Sequence, residues 1–171
     1  MTESPKTIAQ LDNVQHRYGA VTALDDVSLS LPGARMIGLI GPDGVGKSTL
    51  MGLIAGAKRL QTGAVHCLGG DMNDARHRAR MGGRIAFMPQ GLGRNLYHDL
   101  SVRENLDFFG KLFGLGRADR SARIDRLTRA TGLHAFLERP AGKLSGGMKQ
   151  KLGLCCACLL YTSPSPRDRT R

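Results

Sequence analysis

The sequence contains no tryptophan, and its three tyrosines and five phenylalanines bring the aromatic share to only 5%. So few rings leave little to stack on bases, which argues against a nucleic-acid binder of the stacking kind. Acids are scarce too: 14 stand against 25 lysines and arginines, a formal net charge of +11. That excess invites anionic partners such as nucleic acid or a membrane surface. The bases are scattered along the chain rather than gathered in one run, however, as on an ordinary solvated surface. Four cysteines, at 67, 155, 156 and 158, include no pair of facing Cys-x-x-Cys motifs. A zinc site or disulfide framework is therefore not expected, and they read as small buried apolar residues of a reducing compartment. No stretch approaches about 18 apolar residues, and the opening "MTESPKTIAQ" lacks an apolar core segment. The expectation is a cytoplasmic chain with neither a signal peptide nor a membrane span.

What is present is an ordinary globular mixture, 41% hydrophobic and 23% charged, in 171 residues, enough for one domain. "LDDVSLSL" (24–31) alternates, placing Val27, Leu29 and Leu31 on one face of a half-buried strand. "RMIGLI" (35–40) is a continuous apolar run, as expected of a strand buried on both faces. "KSTLMGLIAG" follows with Leu50, Leu53 and Ile54 at helical spacing. "AVHCL" (64–68) and "RIAFM" (84–88) read as further strands. "SVRENLDFFGKLFGL" (101–115) reads as a helix opened by a capping box of Ser101 and Glu104. "ADRSARIDRLTRATGL" (118–133) reads as a basic amphipathic helix with Ile124, Leu127 and Ala130 or Thr131 inward and its arginines outward. The order is a strand-rich first third, an α/β core and a helical insert over about 91–143.

"GPDGVGKS", Gly41 to Ser48, matches G-x-x-x-x-G-K-[ST]. Glycines at 41, 44 and 46 let the backbone turn with its N–H groups converging on phosphate oxygens. The loop then ends at a helix N-terminus, whose dipole favours anions. In such a loop Lys47 reaches the β- and γ-phosphates, the Ser48 hydroxyl ligates Mg²⁺, and Thr49 contacts the α-phosphate side. Asp43 is unusual here, because a carboxylate beside a triphosphate costs affinity unless it faces away or pairs with a base.

"LSGGMKQ" (144–150) offers a second anion-binding helix start: Ser145, Gly146 and Gly147 before an apolar helix beginning at about Met148. With the P-loop about 100 residues earlier, it resembles the nucleotide-binding subunit of ATP-binding cassette (ABC) transporters. Two further residues agree. Tyr18 lies where that family places an aromatic residue stacked on adenine, and Gln90, ending "FMPQ", stands where it has the Q-loop glutamine that approaches Mg²⁺. The 55 residues from Gln90 to Ser145 leave room for the family's helical subdomain. "LSGGMKQKL" looks like the ABC-2 export type, while "GPDGVGKSTLMGLIAGAK" and "RIAFMPQGLGRNLYHDLSVRENLDFFGKLFGL" look most like the first cassette of fused tandem-cassette exporters, a group that includes ribosome-associated ATPases.

The resemblance implies an α/β fold, a P-loop NTPase core with an antiparallel β subdomain and a helical subdomain. It implies ATP and Mg²⁺ as cofactors, a membrane permease as partner, and a place at the inner face of the membrane. A second cassette would bind head to tail, so that ATP lies between Lys47 and Ser48 of one copy and Ser145 and Gly147 of the other. A soluble ATPase acting on ribosomes is the alternative reading. Family members carry a magnesium-ordering Asp and a catalytic Glu some 15–20 residues after the signature, and a histidine beyond. Here the only acid after Gln150 is Asp168, within "PRDRTR". The match to family sequences ends at about Ala157, so 1–157 reads as a partial nucleotide-binding domain, incomplete after the signature helix. Residues 158–171 read as a non-native tail. The expected consequences are weak nucleotide binding, no turnover, poor solubility and an uncovered P-loop strand.

Overall fold

In the computed structural model, residues 7–91, 93 and 95–161 are described. The non-native tail expected over 158–171 lies, from Thr162 onward, outside them. The chain divides into two compact units, Met1–Met81 and Gly82–Arg171.

In the first unit, β1 (Thr7–Tyr18) pairs antiparallel with β2 (Val21–Pro32) on one side and β3 (Thr62–Cys67) on the other. The short β4 (Gly70–Asp71) completes a sheet of order β2-β1-β3-β4. β1 buries Ala9 and Leu11, then Val14 and His16, so its alternation slips by one residue at Asp12–Asn13. A bulge makes the slip. Asn13 takes φ 48°, its backbone N–H donates to the Ser28 hydroxyl, and its side-chain amide donates to Asp26. Gly63 passes so close that a Cβ there would sit 2.5 Å from the Asn13 carbonyl oxygen. β2 half-buries Val27, Leu29 and Leu31, the face expected from their alternation.

Helix α1 (Lys47–Ile54) follows the P-loop and buries Leu50 and Leu53. Helix α2 (Ala75–Met81) buries His77, whose Nε2 donates to the Cys67 carbonyl at 2.8 Å. That ring lies where a Cβ on Gly70 would go, so glycine lets the β3–β4 hairpin close over it.

The second unit is helical: α3 (Val102–Leu112), α4 (Arg117–Thr131) and α5 (Gly146–Cys158). They share a core of Val102, Leu106, Ile124, Leu133, Leu152, Cys155, Cys156 and Leu159. Fully burying a leucine contributes about 1.5–3 kcal/mol, and Leu106, Leu152 and Leu159 are each completely enclosed. The capping box forms as expected. Glu104 N–H donates to the Ser101 hydroxyl at 3.2 Å, and Ser101 N–H donates to the Glu104 carboxylate at 2.7 Å.

Four expectations are corrected. Neither 35–40 nor 84–88 is a strand: among the described residues no strand pairs with either run. A doubly buried strand needs ladder partners for its N–H and C=O groups, and without them apolar sequence alone does not make one. Met36 and Ile40 are consequently 97% and 95% exposed. Ile85 and Phe87 still turn inward, onto a cavity of about 160 Å³ shared with Phe109, Phe113 and Cys156.

The other two corrections concern helices. α5 starts at Gly146 rather than Met148, because Ser145 is its N-cap. On α4 Ile124 and Leu127 turn inward as expected, with Thr131 and not Ala130 as the third, and Thr128 joins them. Two of its arginines also turn in: Arg120 pairs with Asp107, and Arg123 donates to the Leu159 carbonyl at 2.6 Å.

Candidate nucleotide site

The P-loop follows the unpaired 35–40 run and leads into α1. Gly44 and Gly46 take φ of +83° and +86°, the left-handed region where L side chains are strained. Gly46 is also the N-cap of α1, and the Leu50 N–H donates to its carbonyl at 2.9 Å. The first-turn amides of α1 are thereby presented at the loop mouth, the arrangement that attracts anions.

Lys47 folds back over this loop. Its ammonium donates to the Gly41 carbonyl at 2.7 Å and also to the Pro42 carbonyl. Asp43 is fully exposed, with a carboxylate oxygen 4.0 Å from Lys47 Nζ. It thus stands within loose ion-pair reach of a base, one of the two conditions that spare a phosphate from its charge. Ser48 is exposed on the first turn of α1, and Thr49 beside it is buried.

Tyr18 arrives at the same helix from the end of β1. Its hydroxyl and the Thr49 hydroxyl are hydrogen-bonded at 3.1 Å, although 31 residues separate them. The Lys58 ammonium stands 5.1 Å over the Tyr18 ring, and the His16 ring meets it edge-on at 4.8 Å. Lys58 and then Thr49 hold the Tyr18 phenol below its ordinary acidity range of about 10. Tyr18 itself stays 47% exposed, so the ring keeps open surface beside the loop. His16 Nδ1 is buried and has no hydrogen-bond partner among the described residues.

Tyr18, Gly41, Gly44, Gly46, Lys47, Ser48 and Thr49 therefore belong to one unit. Gln90 and the 145–147 stretch belong to the other. Gln90 is exposed at the end of the 84–90 run. Ser145 caps α5, accepting from the Met148 N–H at 3.4 Å, with Gly146 and Gly147 opening the helix.

Sequence reasoning missed Lys58 and His16. His16 carries no motif, and Lys58 lies 40 residues from the ring it covers. It missed Asn105 as well, which is completely buried in α3. The Asn105 side chain accepts from the Tyr97 N–H and donates to the carbonyls of Tyr97, Leu100 and Ser101, at 2.9–3.1 Å. It thus pins 97–101 to the helix.

The sequence model of the family described as "ABC transporter" matches residues 24–163. The chain belongs to that family. Over 153 residues it is 38% identical to the probable multidrug ABC transporter ATP-binding protein YbhF of Escherichia coli K12, covering 87% of this chain and 25% of that protein. It is 34% identical to the Nod factor export ATP-binding protein I of Ralstonia nicotianae over 145 residues, 85% of this chain and 44% of that one. It is 31% identical to the Fe(3+) ions import ATP-binding protein FbpC of E. coli K12 over 155 residues, 91% and 43% respectively. The chain thus spans between a quarter and less than half of the length of these curated relatives. Among solved structures, an ATP-binding subunit of an ABC transporter superposes with a TM-score of 0.78 at 30% identity, over 90% of this chain and 62% of that one. The dimeric ABC cassette MJ0796 matches with a TM-score of 0.78 at 23% identity, covering 90% and 70%, which speaks for the fold. The α/β ABC cassette architecture expected from the resemblance is therefore found. Among the described residues, no helix is long and apolar enough to cross a membrane.

Proposed function

We propose that this chain is the ATP-binding unit of an ABC-2-type membrane exporter, the first cassette of a longer tandem-cassette protein. The observation that carries the reading is the Lys47 ammonium, held on the carbonyls of its own loop at the mouth of a helix N-terminus. A polyphosphate entering there gives that cation charged acceptors and takes the first-turn amides of α1. The positive φ of Gly44 and Gly46 suits such a cradle. The site therefore fits ATP.

In this reading Tyr18 carries the base, Gly41, Gly44, Gly46 and Lys47 hold the phosphates, and Thr49 meets the α-phosphate. Ser48 would hold Mg²⁺, which would neutralise charge on the phosphates, and Gln90 keeps the Q-loop role that the resemblance implies. Ser145, Gly146 and Gly147 close on the ATP of a second cassette. The permease partner, the position at the inner face of the membrane and the drive for export belong to the assembled protein. The signature "LSGGMKQKL" supports the export subtype.

The 171-residue chain by itself binds nucleotide without turning it over. After Gln150 its only acid is Asp168, between two arginines, and phosphoryl transfer to water needs a residue that positions the nucleophile. The test is malachite-green phosphate release from the purified chain with ATP and Mg²⁺. Release at the level of buffer is expected, and a sustained magnesium-dependent rate abolished by Lys47→Ala would overturn this part of the reading.

A further inference from the structure

The hydrogen bond between Tyr18 and Thr49 joins two parts of the site that family resemblance treats separately. We propose that the Tyr18 hydroxyl is a positioning group: it orients the Thr49 hydroxyl so that the Thr49 proton points at a nucleotide phosphate. The proposal rests on the nucleotide reading of the P-loop and adds to Tyr18 a task distinct from stacking.

The argument is one of proton counting. A hydroxyl carries one proton and two acceptor lone pairs. The pair at 3.1 Å admits either polarity while the site holds no anion. A phosphate oxygen accepts only, so Thr49 has to spend its proton on the phosphate. Its lone pair is then free to receive the Tyr18 proton. The reverse polarity would turn Thr49 lone pairs toward the anion and repel it. An anion at the α1 N-terminus therefore selects one direction, Tyr18 to Thr49 to phosphate, and each bond in such a chain polarises the next.

The surroundings of Tyr18 favour that direction. The Lys58 ammonium over the ring makes the phenol a better donor, in keeping with its lowered pKa. Lys58 is itself fixed, since its backbone N–H donates to the Gly52 carbonyl of α1 at 3.0 Å. Its stem also packs on Gly52, where an added Cβ would lie 3.0 Å from Lys58 Cδ. Thr49 is 6% exposed, so water does not readily replace the Tyr18 partner. The base site and the phosphate site are thereby linked through one bond, not only through a shared ligand.

The test is a mutant cycle on ADP binding by the full 171-residue chain, measured with a fluorescent ADP analogue. Tyr18→Phe keeps the ring and removes the hydroxyl. It is made in three backgrounds: the natural chain, Thr49→Ser, which keeps a hydroxyl, and Thr49→Val, which keeps the shape. Tyr18→Phe is expected to weaken ADP about three- to ten-fold in the first two backgrounds, the size of one hydrogen bond. Less than a two-fold change is expected in Thr49→Val. A loss of equal size in all three backgrounds, as a purely structural role gives, would overturn the proposal, and so would no loss in any. Failure of the natural chain to bind ADP at all would remove the nucleotide reading and the proposal with it, an outcome distinct from both.

Discussion

A Cβ added to Gly46 would lie 2.2 Å from the carbonyl oxygen of Ala23, so β2 and the P-loop meet through a glycine with no room for a side chain. Gly46 also holds φ +86°, which costs an L residue about 1–2 kcal/mol before any clash is counted. Gly44 has a similar φ of +83° but open space around it. Gly46→Ala is therefore expected to destabilise the first unit by more than about 2 kcal/mol, and Gly44→Ala by only the conformational part, about 1–2 kcal/mol. Urea unfolding followed by circular dichroism separates them, and equal losses would count against the close approach.

A second prediction concerns α3 and α4. Asp107 accepts from Lys111 at 2.7 Å and pairs with Arg120, and Lys111 and Arg120 together hold its carboxyl below the usual aspartate range. Its unfolded value is about 3.9. The stabilisation is thus complete above that pH and is lost as pH falls through the lower folded value. The natural chain should melt progressively lower as the pH is taken below about 4. Asp107→Asn should melt lower at pH 7 yet lose less on acidification, so that the two curves converge. Parallel curves would contradict the assignment.

Gly110 belongs to the same contact, because a Cβ there would sit 2.4 Å from Arg120 Cδ. Alanine ordinarily improves a helix interior over glycine by about 1 kcal/mol. Here Gly110→Ala should lower the melting temperature, since it displaces Arg120 from Asp107 and from the Leu115 carbonyl. Thermal melts decide the sign, and a rise would show that Arg120 relocates freely.

The uncovered 35–40 run gives a fourth expectation. Met36 and Ile40 are almost wholly exposed, with Ile37 and Leu39 about half exposed. Contiguous apolar surface of this kind drives association. Replacing Met36 and Ile40 together by lysine should raise the soluble fraction and reduce binding of a hydrophobic dye. An unchanged soluble fraction would place the association surface elsewhere.

How much of this was legible beforehand depends on where the information resides. The capping box of α3 and the alternating face of β2 are local patterns, and both appear where expected. β1 is not legible as a strand in the sequence, because the bulge at Asn13 breaks its alternation into 9, 11 and then 14, 16. The runs 35–40 and 84–88 failed for the opposite reason: their composition suits a strand, but a strand requires partners that composition does not report. Within the site, the loop glycines and Lys47 follow from a motif. The Tyr18–Thr49 bond and the Lys58 cover depend on β1 and α1 meeting in space, which spacing along the chain does not encode.

The cysteines offer a fifth test. Cys67, Cys155 and Cys156 are buried, and burial pushes each thiol up. All four thiols are free, and Cys158 is the partly exposed one. Under native conditions at pH 8, a thiol reagent should modify one cysteine quickly and the other three only on unfolding. Fast reaction of all four would mean that α5 is not packed as described.

The central claim is that the P-loop of this chain holds a nucleotide through Lys47. The most direct measurement is isothermal titration of ADP into the natural chain and into Lys47→Met. Loss of a charged hydrogen bond is worth about 1.5–3 kcal/mol, or about 10- to 100-fold in affinity. Saturable binding weakened by at least that lower factor in Lys47→Met is the predicted result. Equal affinity in the two proteins, or no binding by the natural chain, would contradict the account.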